Sequence, residues 1–251
     1  MVDGASGRVS RVLEAVLFDW GHTLMDWVPD DELLEAGHRA GLAAIGASAD
    51  LAPALTERYR NEEKLSDWEV PEEVEYPALA RTMLADVGVH VDDTELERFL
   101  LAEHAAWAPA RRLAGTTHAL LDAIRERGLK TGIVSNAFDP GWILMRDLTE
   151  MGLAERLDVA VFSSDVGLRK PHPTIFQRAL DELGVQPERA LFVGDRLRQD
   201  VGGAHALGMR TVQAMWFRVE EDVDGIEPDF RAFTQFDVLN VVRRFTGELP
   251  H

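Results

Sequence analysis

Four short, largely apolar runs along the chain each end in a polar cluster. Residues 15–18 lead into Asp19, 131–134 into Ser135 and Asn136, 159–162 into Ser163, Ser164 and Asp165, and 190–193 into Gly194 and Asp195. Short runs without alternation predict strands buried on both faces, as in a parallel sheet. Between them, apolar residues recur at helical spacing over 118–127, 141–151, 173–183 and 201–207. A glycine follows each of these segments (Gly128, Gly152, Gly184 and Gly208), which suits a helix C-terminus. Strand and helix alternate, so the pattern predicts a doubly wound, Rossmann-like α/β parallel sheet.

Residues 27–109 break that alternation and read as amphipathic helices over 31–45, 52–68, 71–87 and 93–107, with Pro29 and Pro109 at the rims. The expected organisation is a core domain made of 1–26 and 110–251, with a helical cap domain, 27–109, inserted after the first strand. An insertion there lies above the carboxyl edge of the sheet, where open α/β sheets bind ligands. It is expected to act as a lid. From Met215 onward the chain is acidic around Glu220, Glu221 and Asp222, then regains an apolar pattern through Phe236, Val238, Leu239, Val241 and Val242. That tail predicts a loop, a short edge strand and a closing helix.

Composition narrows the partners. With 46% hydrophobic residues in 251 the chain can bury an ordinary core. Its 26 basic against 44 acidic residues, a formal charge of -18, argue against gripping nucleic acid or an anionic membrane surface. There is no cysteine, so disulfides, thiolate metal sites and a cysteine nucleophile are excluded. The first apolar run is broken by Glu14 and is too short for a signal-peptide core. No stretch approaches the roughly 18 apolar residues of a membrane span, and a cytoplasmic protein is expected.

Parallel strands point their carboxyl ends the same way, so the polar residues that end them converge on one rim. That gathers Asp19, Thr23, Ser135, Asn136, Lys170, Asp195 and Asp200. Taken singly, each has a plain structural explanation: a turn at Asp195, a helix cap at Asp200 or Thr23, a solvated loop lysine at Lys170, a strand end at Ser135 and Asn136. Those explanations leave their common location at strand ends unaccounted for. Three carboxylates, a lysine and a hydroxyl suit Mg²⁺ with a phosphoryl group bound to it.

Four stretches in order, FDWGHTL from Phe18, IVSN from Ile133, LRKPHPTIF from Leu168 and FVGDRLRQDVGGAHALGM from Phe192, resemble the four motifs of the haloacid dehalogenase (HAD) superfamily, most closely its members with a helical cap after the first motif. The resemblance implies that Asp19 is a nucleophile forming an aspartyl-phosphate. It also implies that Lys170 is catalytic beside Asp19, and that Thr23, Ser135, Asn136 and Lys170 bind the substrate, Ser135, Lys170 and the Asn136 backbone at the phosphoryl oxygens and Thr23 with a largely structural part as well. Mg²⁺ falls to Asp19, the backbone carbonyl of Gly21, Asp195 and Asp200, with Asp200 either a direct ligand or an orienter of Lys170. The implied partner is a small phosphorylated molecule, handled by a monomer or homodimer.

One position departs from the pattern. HAD phosphatases usually carry a second aspartate two residues after the nucleophile, which protonates the leaving alkoxide and then deprotonates the hydrolytic water; this chain has Gly21 there. Loss of a positioned acid/base costs on the order of 10²–10⁴ in rate. One reading is therefore a phosphohydrolase suited to acyl or aryl phosphates, with His22 as a candidate substitute acid. Others are a phosphonoacetaldehyde-type C–P hydrolase using Lys64, the single lysine of the cap, a dehalogenase-like hydrolase, or a catalytically weak phosphate-binding protein. In the cap, Arg60, Trp68, Tyr76, Arg81 and Trp107 are candidates to face the substrate, and equally candidates for core or surface.

Overall fold

The computed structural model describes residues 13–28, 30–62, 70–220 and 225–248. Its central strand, β1 (Ala15–Phe18), is apolar at every position and wholly buried, because it is flanked on both edges by parallel neighbours, β4 (Lys130–Ser135) and β6 (Ala190–Gly194). Beyond β4 lies β5 (Val159–Phe162), and beyond β6 lie β7 (Arg210–Ala214) and β8 (Phe230–Ala232). The six strands run parallel in the order β5-β4-β1-β6-β7-β8. One face packs Phe18, Leu121, Leu148 and Val242, the other Leu17, Phe176, Leu180 and Phe192.

The insert enters and leaves through a two-stranded antiparallel pair, β2 (Met25–Trp27) and β3 (Arg111–Leu113), with Trp27 opposite Arg111. Between them run α1 (Asp31–Ala44), α2 (Ala52–Arg60), α3 (Tyr76–Asp86) and α4 (Asp93–Ala106). Asp30 caps α1 by accepting from the Glu32 N–H, and Asp92 with Glu95 forms a reciprocal capping box on α4. The insert has its own apolar cluster, including Leu42, Leu55, Met83 and Phe99, which also takes in Ile143 from the core.

The core helices α5 (Thr117–Arg125), α6 (Gly141–Glu150), α8 (Pro173–Leu183) and α10 (Gln235–Phe245) follow the pattern read from the sequence, α9 (Gly203–Ala206) lies within the segment read as helical over 201–207, and the short α7 (Ser163–Val166) occupies residues that the pattern gives only as a polar cluster after β5. Four expectations need correction. The helix expected over 71–87 begins only at Tyr76, since Pro71 to Glu73 are held by the core instead. The helix expected at 201–207 starts earlier, as a π-helical turn over Leu197–Gly202. Strand β7 was not anticipated, because Thr211 and Gln213 interrupt it; both are buried with polar partners, Asp229 for Thr211 and Arg231 and the Glu220 carbonyl for Gln213. The helix expected over 52–68 ends at Arg60 with Asn61 as its C-terminal cap, and residues 63–68 lie outside the described residues. Among the described residues no helix is long and apolar enough to cross a membrane.

Candidate active site

Asp19 follows β1, Ser135 ends β4 and Asp195 follows β6, so three adjacent parallel strands deliver their polar ends to one rim. Lys170 arrives from the segment between α7 and α8. Its Nζ donates to Asp19 Oδ1 at 2.7 Å and to Asp200 Oδ1 at 2.6 Å. Ser135 Oγ donates to the same Asp19 oxygen at 2.9 Å. Asp19 Oδ1 is thus pinned by two donors, while no hydrogen bond among the described residues reaches its Oδ2.

The loop after β1 is held by its backbone. The Trp20 carbonyl accepts from the N–H groups of Leu24 and Met25 at 3.0 and 3.1 Å. The Leu24 carbonyl accepts from Thr117 Oγ1 and the Thr23 carbonyl from Trp216 Nε1. The Thr23 side chain is fully buried and its hydroxyl makes no hydrogen bond among the described residues, so this residue serves the loop through its main chain. His22 has φ 58°, the left-handed region a non-glycine residue occupies only at a cost. Its Nδ1 lies 3.1 Å from Asp26 Oδ1. Burial lowers its pKa and the charge of Arg218 adds to that, against the pull of Asp26.

Asn136 supports the lysine: its Oδ1 accepts from the Lys170 N–H at 2.7 Å and its Nδ2 donates to the Lys170 carbonyl at 3.1 Å. A strap from the insert supports it from the other side. Glu73 receives two nitrogens of the buried Arg169, at 2.8 and 2.7 Å, and the Ser163 hydroxyl. The Glu73 N–H donates to the Gly167 carbonyl and the Arg169 N–H to the Pro71 carbonyl, at 2.9 and 2.7 Å. Burial alone would lower the Lys170 pKa, but the charges of Asp19 and Asp200 and its hydrogen bonds to both outweigh it, and the ammonium is held above its ordinary value.

Asp200 reaches the rim from the π-helical turn, where its Oδ2 accepts from the Arg196 N–H at 2.9 Å. A Cβ at Gly194 would fall 2.4 Å from the Asp200 carboxyl carbon, so only glycine lets this carboxylate approach β6. Carboxylate oxygens of Asp19, Asp195 and Asp200 lie within 4.8 Å of one another. Burial, then the charges of Asp200 and Asp19, push Asp195 up to about 7, although Arg218 opposes them with a 2.6 Å hydrogen bond from Nε to Oδ2. Its other oxygen, Oδ1, is buried without a partner among the described residues. Three crowded carboxylates with one unsatisfied oxygen form the hard, anionic donor set that suits Mg²⁺.

The rim opens into a cavity of about 1000 Å³, roofed by residues of the insert. Of the cap candidates, Trp107 lines it. Tyr76 is instead buried in the cap, donating to Glu103, while Arg60 and Arg81 pair with Asp31 and Asp93 at the surface. Lys64 and Trp68 lie outside the described residues. Three cavity features escaped the sequence reading: Tyr59 on α2, Arg218 beyond β7, and an ionic knot where insert meets core. In that knot His104 Nε2 lies 2.8 Å from Asp147 Oδ2, its Nδ1 lies 3.4 Å from Asp139, and Arg111 Nε lies 3.2 Å from Asp147. Burial opposes protonation of His104, but its contacts with Asp139 and Asp147 prevail and raise its pKa to about 9.

Known proteins share this sequence pattern and fold. A glyceraldehyde 3-phosphate phosphatase of Methanopyrus kandleri is 31% identical over 94% of this chain and 100% of its own length. Among solved structures, a HAD phosphatase from Thermococcus onnurineus superposes with a TM-score of 0.59 at 26% identity, covering 92% of this chain and 98% of that one. A 2-haloacid dehalogenase from Pseudomonas syringae pv. tomato shares the fold, with a TM-score of 0.66 at 22% identity over 93% of this chain and 99% of that one. The family model for haloacid dehalogenase-like hydrolases matches residues 13–208. The chain that carries this rim of carboxylates around one buried lysine, under a helical insert on a parallel sheet, thus belongs to the haloacid dehalogenase-like hydrolases.

Proposed function

We propose that the protein is a Mg²⁺-dependent phosphatase of a small phosphorylated metabolite, working through an aspartyl-phosphate on Asp19. The observation that carries this reading is the asymmetry of Asp19: Ser135 and Lys170 hold one carboxylate oxygen, and the other has no hydrogen-bond partner among the described residues, in a residue that lines the cavity. A nucleophile needs that arrangement, fixed in direction with one lone-pair-bearing oxygen free. The phosphatase name of a relative covering nearly the whole chain supports the substrate class.

Asp19, Asp195, Asp200 and the Gly21 carbonyl would hold Mg²⁺, which when bound supplies positive charge against the phosphoryl oxygens. Lys170 adds a fixed positive charge beside the nucleophile, and Ser135 with the Asn136 backbone N–H adds hydrogen-bond donors. Residues 27–109 form the cap domain that closes over the substrate, and residues 1–26 with 110–251 form the catalytic core. The cytoplasm is the compartment this reading favours. The test is a rapid acid quench with ³²P-labelled substrate and Mg²⁺: label is expected on the wild-type chain and not on Asp19→Asn, which is also expected to lose turnover. An Asp19→Asn enzyme that still hydrolyses the substrate refutes the assignment.

A further inference from the structure

Gly21 leaves a question that the phosphatase reading does not answer: what replaces the proton donor. A Cβ built at Gly21 meets no atom within 4 Å, so the space a second carboxylate would enter is open cavity. Among the charged side chains that line this cavity, Arg218 is the one paired with a rim carboxylate from outside the Asp19–Lys170–Asp200 cluster. Arg218 lies just past β7 and grips Asp195 Oδ2 through Nε, at 2.6 Å, and through a second guanidinium nitrogen. Its side chain stays 33% exposed and lines the same cavity as Asp19, Gly21 and His22. Asp195, which it grips, keeps a carboxylate oxygen within 4.8 Å of one on Asp19, so the guanidinium lies at the edge of the carboxylate cluster. Two nitrogens anchored on a buried carboxylate fix the guanidinium plane, and the rest of the fork remains available to a ligand.

We propose that Arg218 meets the negative charge that develops on the leaving-group oxygen, taking electrostatically the part that a proton donor at position 21 would take. This rests on the phosphatase reading above. An arginine does not give up its proton near neutral pH, so it stabilises an anion without completing a proton transfer. In the step concerned, Asp19 Oδ2 bonds to phosphorus while the bond from phosphorus to the leaving oxygen breaks. The electron pair stays on that oxygen, and the anion lies against Arg218 until solvent water protonates it. The substrates this serves are those whose leaving oxygen is stable as an anion, aryl and acyl phosphates.

The alternative is that Arg218 only holds Asp195, and a leaving-group series separates the two. Wild type, Arg218→Met and Arg218→Lys are assayed on aryl phosphates from 2,4-dinitrophenyl to unsubstituted phenyl, at Mg²⁺ concentrations shown to be saturating by calorimetric titration of each variant. Removing one donor to a developing oxyanion costs on the order of 10²–10³ in kcat. Arg218→Met is expected to lose about 10²-fold on phenyl phosphate and under about tenfold on the dinitrophenyl ester, steepening the dependence of rate on phenol pKa. Arg218→Lys is expected to fall between, and it carries the comparison if the methionine variant does not fold by circular dichroism. Equal loss across the series overturns the proposal, and wild-type turnover in the same assays leaves the phosphatase reading standing.

Discussion

Of the buried charge clusters among the described residues, the one on the sheet rim and the one around Glu103 in the helical insert do opposite things with the same residue types. In the insert, Glu103 is almost completely buried, with both oxygens 2.9 Å from Tyr76 Oη and one of them 3.2 Å from His38 Nε2; His38 Nδ1 in turn meets Thr56 Oγ1 at 2.7 Å. That cluster is closed on itself and does not line the cavity. On the rim, Asp19, Asp195 and Asp200 outnumber the ammonium among them, Asp195 Oδ1 has no partner among the described residues, and the carboxylates of Asp19 and Asp200 border the cavity. The difference teaches that burial of a carboxylate marks a site only where its hydrogen-bonding capacity is left open toward a ligand.

Four substitutions or conditions press on this contrast, and the largest effect is expected at Lys170. Lys170→Met removes the ammonium that two rim carboxylates share, and kcat is expected to drop by about 10³-fold or more at saturating Mg²⁺. Retained activity would make the rim cluster no different in kind from the one in the insert.

The knot between insert and core comes next, as a stability effect. His104 is held protonated up to about pH 9, against an ordinary value of 6.5. A raised pKa of this kind stabilises the fold fully below about pH 6.5, and the contribution fades as pH climbs through about 9. The difference corresponds to about 3 kcal/mol of unfolding free energy, absent from His104→Gln. Urea unfolding of both proteins at pH 6 and above pH 9 measures it, and parallel pH profiles would contradict the assignment.

Gly21→Asp is the third. The open space at that Cβ and the absence of a positive φ there let an aspartate enter without strain. Hydrolysis of alkyl phosphates is expected to rise by about 10²-fold while acetyl phosphate changes little, since acid catalysis acts on the leaving group that needs a proton. Unaltered selectivity between the two substrates would count against the missing-acid account.

The smallest effect is expected inside the insert. Glu103→Gln keeps the shape and the acceptor for Tyr76, and loses the charge opposite His38. A destabilisation of about 1–2 kcal/mol with kcat/KM within twofold of wild type is the expected result. A loss of activity comparable to that at Lys170 would erase the distinction between the clusters.

Much of this layout is legible in the sequence because strands buried on both faces must be apolar, and because a polar residue ending such a run announces the rim. Asp19, Ser135 and Asp195 stand out on that ground alone. Lys170 and Asp200 do not follow strands directly; the convergence of strand ends counts them in the group, but their roles come from the family motifs, since a lysine before a proline and an aspartate inside a π-helical turn carry no periodicity of their own. Strand β7 was hidden because its polar residues are satisfied by partners that only the folded chain supplies. Tyr59, Arg218 and the His104 knot were illegible for the same reason. Their roles depend on where a distant helix or loop comes to rest, and nothing in the adjacent residues records that.

The pairing of Trp27 with Arg111 means that the whole helical insert hangs from two neighbouring strands. A few turn residues between them would close an ordinary hairpin, so the insert is a detachable module as far as the sheet is concerned, and ancestral exchange of one roof for another would leave every sheet register intact. The strap at Glu73 is what makes this particular roof hard to exchange. Any replacement would have to reproduce the contact that Glu73 makes with Arg169, next door to Lys170.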